Sequence, residues 1–247
     1  MNQMDLKKHH TILLRSVSLQ IMDVPISLKT INVFTNTNHE YGNPVGIVID
    51  EGKNISQEER LNISKETGYS ETVYIDNVEK AQVSIYNPQE EVKFAGHALV
   101  GAAWYMNHIL LSEIKEITCA GRTVSTKQDE YSWITAPLDI APGWNLKQLN
   151  SSEDIEELDI NNLKDCEHTV FWAWLDEENG VVRARTFAPD WGIPEDEANG
   201  SGSMLLCNLL QRDIKVIHGK GSEIYTRYLN NGFVEIGGVC EESGCII

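Results

Sequence analysis

The segments Phe94-Ala-Gly-His-Ala-Leu-Val-Gly101 and Glu195-Asp-Glu-Ala-Asn-Gly-Ser201 are the parts of the sequence that decide the fold. Each places a glycine beside a polar residue, and each leads into an apolar run, Ala98–Met106 in the first case and Met204–Leu210 in the second. The two segments stand about 100 residues apart, which is the size of a small domain. Because both runs are apolar around nearly their whole circumference, they predict helices that are buried on all sides.

The stretches that precede these two helices also repeat in the same order. Residues 71–75 and 83–88 are rich in β-branched and aromatic side chains, which is typical of strands, and residues 168–172 and 182–189 show the same pattern. Each pair of stretches ends in an aromatic-x-Pro sequence and is followed by an acidic loop. Repetition of several elements in one order predicts two similar α/β halves, each a curled mixed sheet around a buried central helix.

Small residues near the start of each predicted helix support close packing. The first helix contains Gly101, Ala102 and Ala103, and the second contains Gly202 and Ser203. Side chains of this size allow neighbouring strands to approach the helix backbone. We therefore expect the strands of each half to wrap tightly around the helix.

The repeat and the turn signals give a division of the chain. A helix over residues 56–67 is predicted on the outside of the first half, because Ser56 and Glu59 form a capping-box pattern and Gly68 follows as a C-terminal signal. The last strand, after the turn at residues 230–232, is expected to return to the sheet of the first half. The predicted parts are an N-terminal extension at 1–28, a first half at 29–122 joined by 233–247, and a second half at 123–232.

Composition excludes several classes of function. The 247 residues carry a net charge of -17, and this charge repels the phosphates of nucleic acids and of anionic membranes. The five cysteines form no CxxC pair and leave one over if paired, so we expect a reduced, cytoplasmic protein. No stretch approaches the 18 or so uninterrupted apolar residues that a membrane-spanning helix needs.

The starts of the two buried helices are candidate binding sites for an anion. The first turn of a helix presents unpaired N–H groups and a partial positive charge, which suit a carboxylate or a developing enolate. His97 lies in the first turn of one helix, and Gly200 and Ser201 lie in the first turn of the other. If the halves are related by pseudo-symmetry, both starts face one cleft.

Three titratable residues could carry proton transfer there. Glu71, at the start of a strand, is a candidate general base whose pKa would rise if the cleft were dry, and its alternative role is that of an exposed strand-start acid. A first-turn His97 is expected to stay neutral, or else it simply bonds to a neighbouring loop. Asp196 could face the cleft, but capping a helix is the commoner use of an Asp in this position. The neighbouring acids Glu195 and Glu197 leave open which carboxylate points inward.

Other chemistries lack their motifs. The sequence contains neither GxGxxG nor GxxxxGK[ST], so it predicts no phosphate-binding loop. It contains no HExxH or paired CxxC, and no metal site is expected. Cys207 falls inside an apolar run, where a cysteine usually packs, and Ser201 lacks the GxSxG context of a nucleophile.

Taken in order, the motifs resemble those of the PhzF-like family of phenazine biosynthesis-like isomerases, which is related in fold to diaminopimelate epimerase. The resemblance covers residues 31 to about 238, and so leaves out the N-terminal extension and the tail. The matching segments are Val33-Phe-Thr35, Gly42-Asn-Pro-Val-Gly46, Ser70-Glu-Thr72, Phe94-Ala-Gly-His-Ala-Leu-Val-Gly101, Arg185-Thr-Phe-Ala-Pro189, Glu195-Asp-Glu-Ala-Asn-Gly-Ser201 and Gly237-Gly238.

The resemblance implies an enzyme and a set of roles. It implies an isomerase that moves a proton on a small anionic, carboxylate-bearing metabolite by general acid-base catalysis, without a cofactor, usually as a homodimer. Glu71 would shuttle the proton, while His97 and Asp196 would hold and polarise the substrate in the cleft between the halves. Substrate-binding groups would come from the backbone or first turn at Gly96, Gly200 and Ser201. The alternative is a non-catalytic small-anion binding or interaction protein on the same scaffold.

The sequence departs from the family at two positions of the second segment. Glu197 stands where the family usually has Pro, and Asn199 stands where it usually has Thr. The loop of the second half is therefore expected to be more negatively charged than in the family. The paired catalytic cysteines of diaminopimelate epimerase are missing from both helix starts, which argues against a racemase of that two-cysteine type.

Overall fold

The computed structural model describes residues 26–246, and all 15 strands of this part of the chain belong to one sheet. The predicted extension therefore lies outside the described residues up to residue 25. The helices are α1 (Gln57–Thr67), α2 (Gly96–His108), α3 (Ser152–Glu156) and α4 (Gly200–Leu210), and short 3-10 turns span Leu138–Ile140, Ile160–Asn162 and Pro189–Trp191. The strands are β1 (Leu28–Thr35), β2 (Asn43–Ile49), β3 (Glu71–Asn77), β4 (Gln82–Tyr86), β5 (Glu91–Val92), β6 (Glu116–Cys119), β7 (Arg122–Gln128), β8 (Ser132–Pro137), β9 (Asn145–Gln148), β10 (Thr169–Asp176), β11 (Val181–Ala188), β12 (Ile193–Asp196), β13 (Ile214–His218), β14 (Ser222–Tyr228) and β15 (Phe233–Ile246).

The first half is a closed ring of strands around α2. The order β1-β2-β3-β4-β6-β7-β8-β15 closes because β15 also pairs with β1 in antiparallel register. Helix α2 contacts β1, β2, β3, β7, β8 and β15, so strands surround it. This arrangement confirms the predicted curled sheet around a buried helix, and the last strand, β15, pairs with β1 of the first half.

The second half continues the sheet from β15 without closing. Its order is β15-β14-β13-β11-β10-β9, and β12 pairs with the side of β11. Helix α4 packs on β14 and β15 and touches α2. The long strand β15 therefore belongs to both halves, and one apolar core runs continuously beneath them.

Glycines set the distance between each helix and its strands. A Cβ atom on Gly101 would lie 2.8 Å from methyl groups of Val33 and Val45, and one on Gly202 would lie 2.6 Å from Val170. Real Cβ atoms do not approach so closely, so any larger side chain would force the strands apart. The prediction of close packing at both helix starts is confirmed.

Helix α1 lies on the outside of the first half, against β3 and β4. The capping box of Ser56 and Glu59 is present, and Gly68 ends the helix with a left-handed φ of 69°. Arg60 anchors the helix, because its buried guanidinium donates to Asp50 at 2.6 Å and to Asp76 at 2.7 Å. Burial of a paired cation of this kind ties the helix rigidly to the neighbouring strands.

The predicted division near residues 122–123 falls at the beginning of β7. Strands β7 and β8 pair with β6 and β15, and both contact α2. Sheet pairing alone thus favours a boundary after β8, and the division of the chain into domains stays a prediction. Within residues 26–246, no helix is both long enough and apolar enough to cross a membrane.

Candidate active site

Glu71 and His97 meet at the mouth of the first half. Helix α1 ends at Gly68, and after two further residues β3 begins with Glu71, beside Val45 of β2. The Oε2 atom of Glu71 lies 3.2 Å from Nε2 of His97 in the first turn of α2. This distance is short enough for a proton to be shared between the two groups. Within the described chain, Oε2 has no hydrogen-bond partner of good geometry, so it remains available as an acceptor.

Burial shifts the pKa values of both groups toward their neutral forms. Desolvation raises the pKa of Glu71 to about 7, against a smaller opposing effect of a hydrogen bond from Ser70. Desolvation lowers the pKa of His97 to about 4, and the nearby charge of Asp196 opposes this only in part. Near pH 7 the imidazole is therefore neutral and the carboxyl of Glu71 is close to half ionised.

Asp196 completes this group from the second half of the chain. Its pKa is raised to about 6, mainly by desolvation, while the proximity of His97 lowers it and that of Glu71 raises it. Its Oδ1 accepts a hydrogen bond from Nδ2 of Asn43, on the opposite wall of the cleft, at 2.9 Å. The structure thus brings Glu71, His97 and Asp196 into one buried cluster of three interacting titratable groups.

The three acids of the second segment have separate roles in the structure. Glu195 forms a bidentate ion pair with Arg185, whose Nε and Nη2 atoms donate to the two carboxylate oxygens at 2.7 and 3.0 Å. Glu197 accepts hydrogen bonds from the backbone of Lys220 and from Ser222. The helix-capping role considered for Asp196 is wrong, because Asn199 is the N-cap of α4, and its side chain accepts from the N–H of Gly202 at 2.9 Å.

The starts of the two interior helices abut. A Cβ atom on Gly96 would lie 3.5 Å from the carbonyl carbon of Gly200 and the nitrogen of Ser201, and one on Gly200 would lie 3.3 Å from the nitrogen of His97. Two positive helix ends therefore converge on one point, as predicted. A Cβ atom at Gly96 would make ordinary van der Waals contact, whereas one at Gly200 would also lie 2.9 Å from Cδ1 of Ile236 and would require a shift.

Ser201 is present at this junction, but its hydroxyl is already engaged. Its Oγ accepts from Nε1 of Trp144 at 2.9 Å and lies 3.1 Å from Oδ1 of Asn199, to which it donates. Trp144 also packs against Trp191, whose ring stacks on His168. A contact of Ser201 with a ligand would therefore use its backbone N–H rather than its hydroxyl.

A cleft of about 390 Å³ opens between the two walls. Glu71 and Asp196 line it, and none of its lining residues in the described chain is Lys or Arg. His97 and the helix-start residues Gly96, Gly200 and Ser201 are not among the residues that line it. The lining residues are Asn43, Pro44, Gly68, Tyr69, Ser70, Glu71, Asn87, Pro88, Gln89, Trp191, Gly192, Ile193, Pro194, Glu195, Asp196 and Glu197.

Asn43 is the functional residue that sequence reasoning missed. It lies in the segment Gly42-Asn-Pro-Val-Gly46, which contributed to the resemblance but received no role. Its amide bridges the two walls by donating to Asp196 and, at 3.4 Å, to the carbonyl of Ala198. An amide side chain directly before a proline, at the start of a buried strand, is the signal that could have identified it.

Groups suited to other chemistries are buried or dispersed. Burial raises the pKa of Cys119 to about 12 and that of Cys207 to about 11, so both remain thiols and pack in the core. Among residues 26–246, the side chains of His, Cys, Asp and Glu form no group of three or more that could hold a metal ion.

Sequence comparison finds a matching family model and two relatives among known proteins. Residues 31–133 match a family model described as phenazine biosynthesis-like protein. Antisense-enhancing sequence 1 of Schizosaccharomyces pombe is 32% identical over 124 residues, which are 45% of this chain and 41% of that protein, so the match spans less than half of that relative. Trans-2,3-dihydro-3-hydroxyanthranilate isomerase of Pseudomonas chlororaphis is 26% identical over 224 residues, covering 74% of this chain and 79% of the relative.

Solved structures share the fold at low identity. A phenazine biosynthesis protein of the PhzF family from Enterococcus faecalis has a TM-score of 0.73 and 18% identity, covering 89% of this chain and 97% of that one. A hydroxyproline epimerase from Agrobacterium vitis has a TM-score of 0.59 and 13% identity, covering 89% and 91%.

The fold is that of the class formed by PhzF proteins and diaminopimelate-epimerase-like enzymes, as the sheet curled around interior helices predicted. Within this class, the chain is similar to PhzF proteins: the family model and the isomerase of Pseudomonas chlororaphis match it in sequence, and the PhzF structure matches it in fold.

Proposed function

We propose that the chain is an isomerase that moves a proton on a small carboxylate-bearing metabolite by acid-base catalysis, without a cofactor. The observation that carries this proposal is the buried contact of 3.2 Å between Oε2 of Glu71 and Nε2 of His97. The name of the relative from Pseudomonas chlororaphis, an isomerase, supports the same type of reaction.

Glu71 is suited to act both as acid and as base. A group transfers protons in both directions most efficiently when its pKa lies near the working pH. Burial brings the pKa of Glu71 to about 7, whereas an exposed glutamate is almost fully ionised at neutral pH. Ionised Glu71 would remove a proton from carbon beside a carbonyl, and protonated Glu71 would return it at another carbon or on the other face.

His97 and Asp196 would hold the substrate during this transfer. A neutral His97 is able to donate or accept a single hydrogen bond without adding a fixed charge to the cleft. Asp196, whose pKa is raised to about 6, provides a second carboxyl group that changes protonation state close to neutral pH. The carboxyl groups of Glu71 and Asp196 interact electrostatically, so ionisation of one disfavours ionisation of the other.

The carboxylate of the substrate would bind where the two helices begin. The backbone at Gly96, Gly200 and Ser201 abuts there, and a helix start is favourable for negative charge. The cleft has no Lys or Arg among its described lining residues. Positive potential would therefore come from these helix starts, which adjoin the cleft through the contact of His97 with Glu71 rather than lining it. A cytoplasmic location and a homodimeric state remain predictions from composition and from the family resemblance.

The test is proton exchange with solvent. The protein is incubated in heavy water with a panel of small carboxylates and amino acids, and new C–D bonds are detected by mass spectrometry and NMR. We expect incorporation into at least one compound, and Glu71→Gln should reduce its rate by about 10²- to 10⁴-fold. Glu58→Gln, at an exposed position in α1, is the matched control.

The alternative is a small-anion binding protein without catalysis. It predicts that carboxylates bind, as followed by calorimetry, but that neither the wild-type protein nor the Glu58→Gln control incorporates deuterium. Binding that is unaffected by Glu71→Gln, combined with absence of exchange across the panel, would favour this alternative.

A further inference from the structure

Two hydrogen bonds at adjacent residues join the walls of the cleft. The backbone N–H of Gly42 donates to Oγ of Ser222 at 3.0 Å, and Nδ2 of Asn43 donates to Asp196 at 2.9 Å. Gly42 and Asn43 belong to the first half, whereas Ser222 and Asp196 belong to the second part of the chain. The turn that carries Asn43 is therefore held at two neighbouring points.

Glu197 is connected to the acceptors of both contacts, because it is hydrogen-bonded to Ser222 and directly follows Asp196 in the sequence. Its Oε1 accepts from the hydroxyl of Ser222 at 2.9 Å and from the backbone N–H of Lys220 at 3.0 Å. A single hydroxyl has one proton to donate, so Ser222 gives it to Glu197 and receives the N–H of Gly42 on a lone pair. The result is one chain of hydrogen bonds from Gly42 through Ser222 to Glu197.

The backbone of Glu197 is fixed as well. Its carbonyl oxygen, which can only accept, lies 2.8 Å from Nδ1 of His218, so Nδ1 carries the proton of this imidazole. Nε2 of the neutral ring then accepts from the hydroxyl of Thr186 at 2.9 Å, in a fully buried position. Desolvation lowers the pKa of His218 to about 4, which keeps the ring in this neutral form at neutral pH.

The Gly42 side of the chain has little freedom to compensate. Gly42 has a φ of +86°, and a Cβ atom there would lie 2.9 Å from a methyl group of Thr35. The N–H of such a constrained residue points in a direction that the local turn determines. If Ser222 did not accept it, the turn would have to reorganise to satisfy this donor.

From these contacts we infer that Glu197 is a positioning residue for the cleft. Through Ser222 it fixes the turn at Gly42 and Asn43, and so keeps the amide of Asn43 on Asp196. The inference rests on the proposed function, since it assigns Asp196 to the reacting site. Proline, which the family resemblance leads one to expect at this position, has no carboxylate to form this connection.

The decisive measurement is amide hydrogen exchange at Gly42, followed by NMR in the full-length protein. Glu197 makes no hydrogen bond to Gly42 in the described chain, so its effect would pass through Ser222 or through Lys220 and Gly221, which packs on Tyr41. The double variant distinguishes these two routes, because only the route through Ser222 makes the two effects non-additive. We expect Ser222→Ala and Glu197→Ala each to accelerate exchange by about tenfold, and the double variant to add little to either. Glu197→Gln, which retains an acceptor oxygen, should restore most of the protection.

Glu223→Gln provides the control, because Glu223 neighbours Ser222 but its carboxylate accepts from Tyr225 and pairs with Lys215. Unchanged exchange at Gly42 in both alanine variants would overturn the inference, as would equal acceleration in Glu223→Gln. If Glu197→Ala does not fold, Glu197→Met, which keeps most of the side-chain volume but has no acceptor oxygen, takes its place in the comparison with Glu197→Gln.

A second measurement separates positioning from mere stability. Ser222→Ala removes no charge, yet water admitted to a loosened cleft should lower the pKa of Asp196 from about 6 toward its ordinary value, as followed by carboxyl ¹³C NMR. An unshifted titration would contradict the inference. Neither measurement requires turnover, so failure of the proposed catalysis would leave both results interpretable.

Discussion

The two interior helices begin at matching positions of the repeat, but their first turns differ chemically. Helix α2 has Ala95 as N-cap with no side-chain hydrogen bond, and it carries the titratable His97. Helix α4 is capped by the side chain of Asn199, and the hydroxyl of its first-turn Ser201 is bonded to Trp144. The first start thus carries a titratable side chain and no side-chain cap, whereas the second is capped and hydrogen-bonded by side chains.

The sheets around the helices show the same difference. Strands close completely around α2, and the sheet beside α4 stays open. A closed ring holds its helix from all sides, so α2 tolerates an uncapped N-terminus at which four N–H groups lack helical partners. The two halves of the duplicated architecture therefore hold their interior helices in different ways.

The largest expected effect comes from substitutions in the first turns of the two helices, which test whether these turns differ in function. We expect His97→Gln to reduce the rate of deuterium incorporation by about 10²- to 10³-fold, because it removes the imidazole in contact with Glu71. Ser201→Ala should reduce it by less than about tenfold, because the lost hydroxyl serves Trp144. Equal losses in the two variants would show that both helix starts take part equally.

The next largest effect concerns the pH dependence of stability. Glu71 has its pKa raised from 4.5 to about 7 in the folded chain, so its favourable contribution is complete below pH 4.5 and is lost as the pH rises toward 7 and above. Glu71→Gln cannot ionise, and at pH 8 we expect it to be more stable than the wild-type protein by roughly 3 kcal/mol. At pH 4 the two proteins should be nearly equal, as measured by urea unfolding at both pH values.

Replacing the glycines inside the two helices tests whether both are packed equally tightly. Gly101→Ala meets Val33 and Val45, while Gly202→Ala meets Val170, each below 3 Å. We expect each variant to lower the free energy of unfolding by about 1–3 kcal/mol, measured by chemical denaturation. A larger loss at Gly101 would indicate that the closed ring yields less than the open sheet.

Much of this arrangement follows from local signals in the sequence. Apolar runs without a polar face require buried helices, and the repeated order places Glu71, His97 and Ser201 near one junction. The sequence could not show that Asp196, rather than Glu195 or Glu197, joins Glu71 and His97, because this depends on the partners that the three acids find elsewhere in the chain.

The three acids are distinguished by contacts that residue propensities do not determine. Arg185 takes Glu195 and Ser222 takes Glu197, while Asn43 reaches Asp196 across 153 positions of sequence. Closure of the first ring by β15 is likewise a pairing between the two ends of the described chain. Such contacts are set by the assembled sheet rather than by the propensity of any segment.

The smallest expected effect isolates the cap of α4. Asn199 donates nothing from its buried Nδ2 within the described chain, while its Oδ1 accepts from Gly202 and Ser201. Asn199→Ala should lower the free energy of unfolding by about 1 kcal/mol, because the cap is lost. Asn199→Thr retains a capping oxygen and removes the unpaired buried amide, so its stability should stay within about 0.5 kcal/mol of the wild-type value. Thermal and urea unfolding of both variants would decide this, and a threonine variant as unstable as the alanine variant would show that the helix start depends on the amide itself.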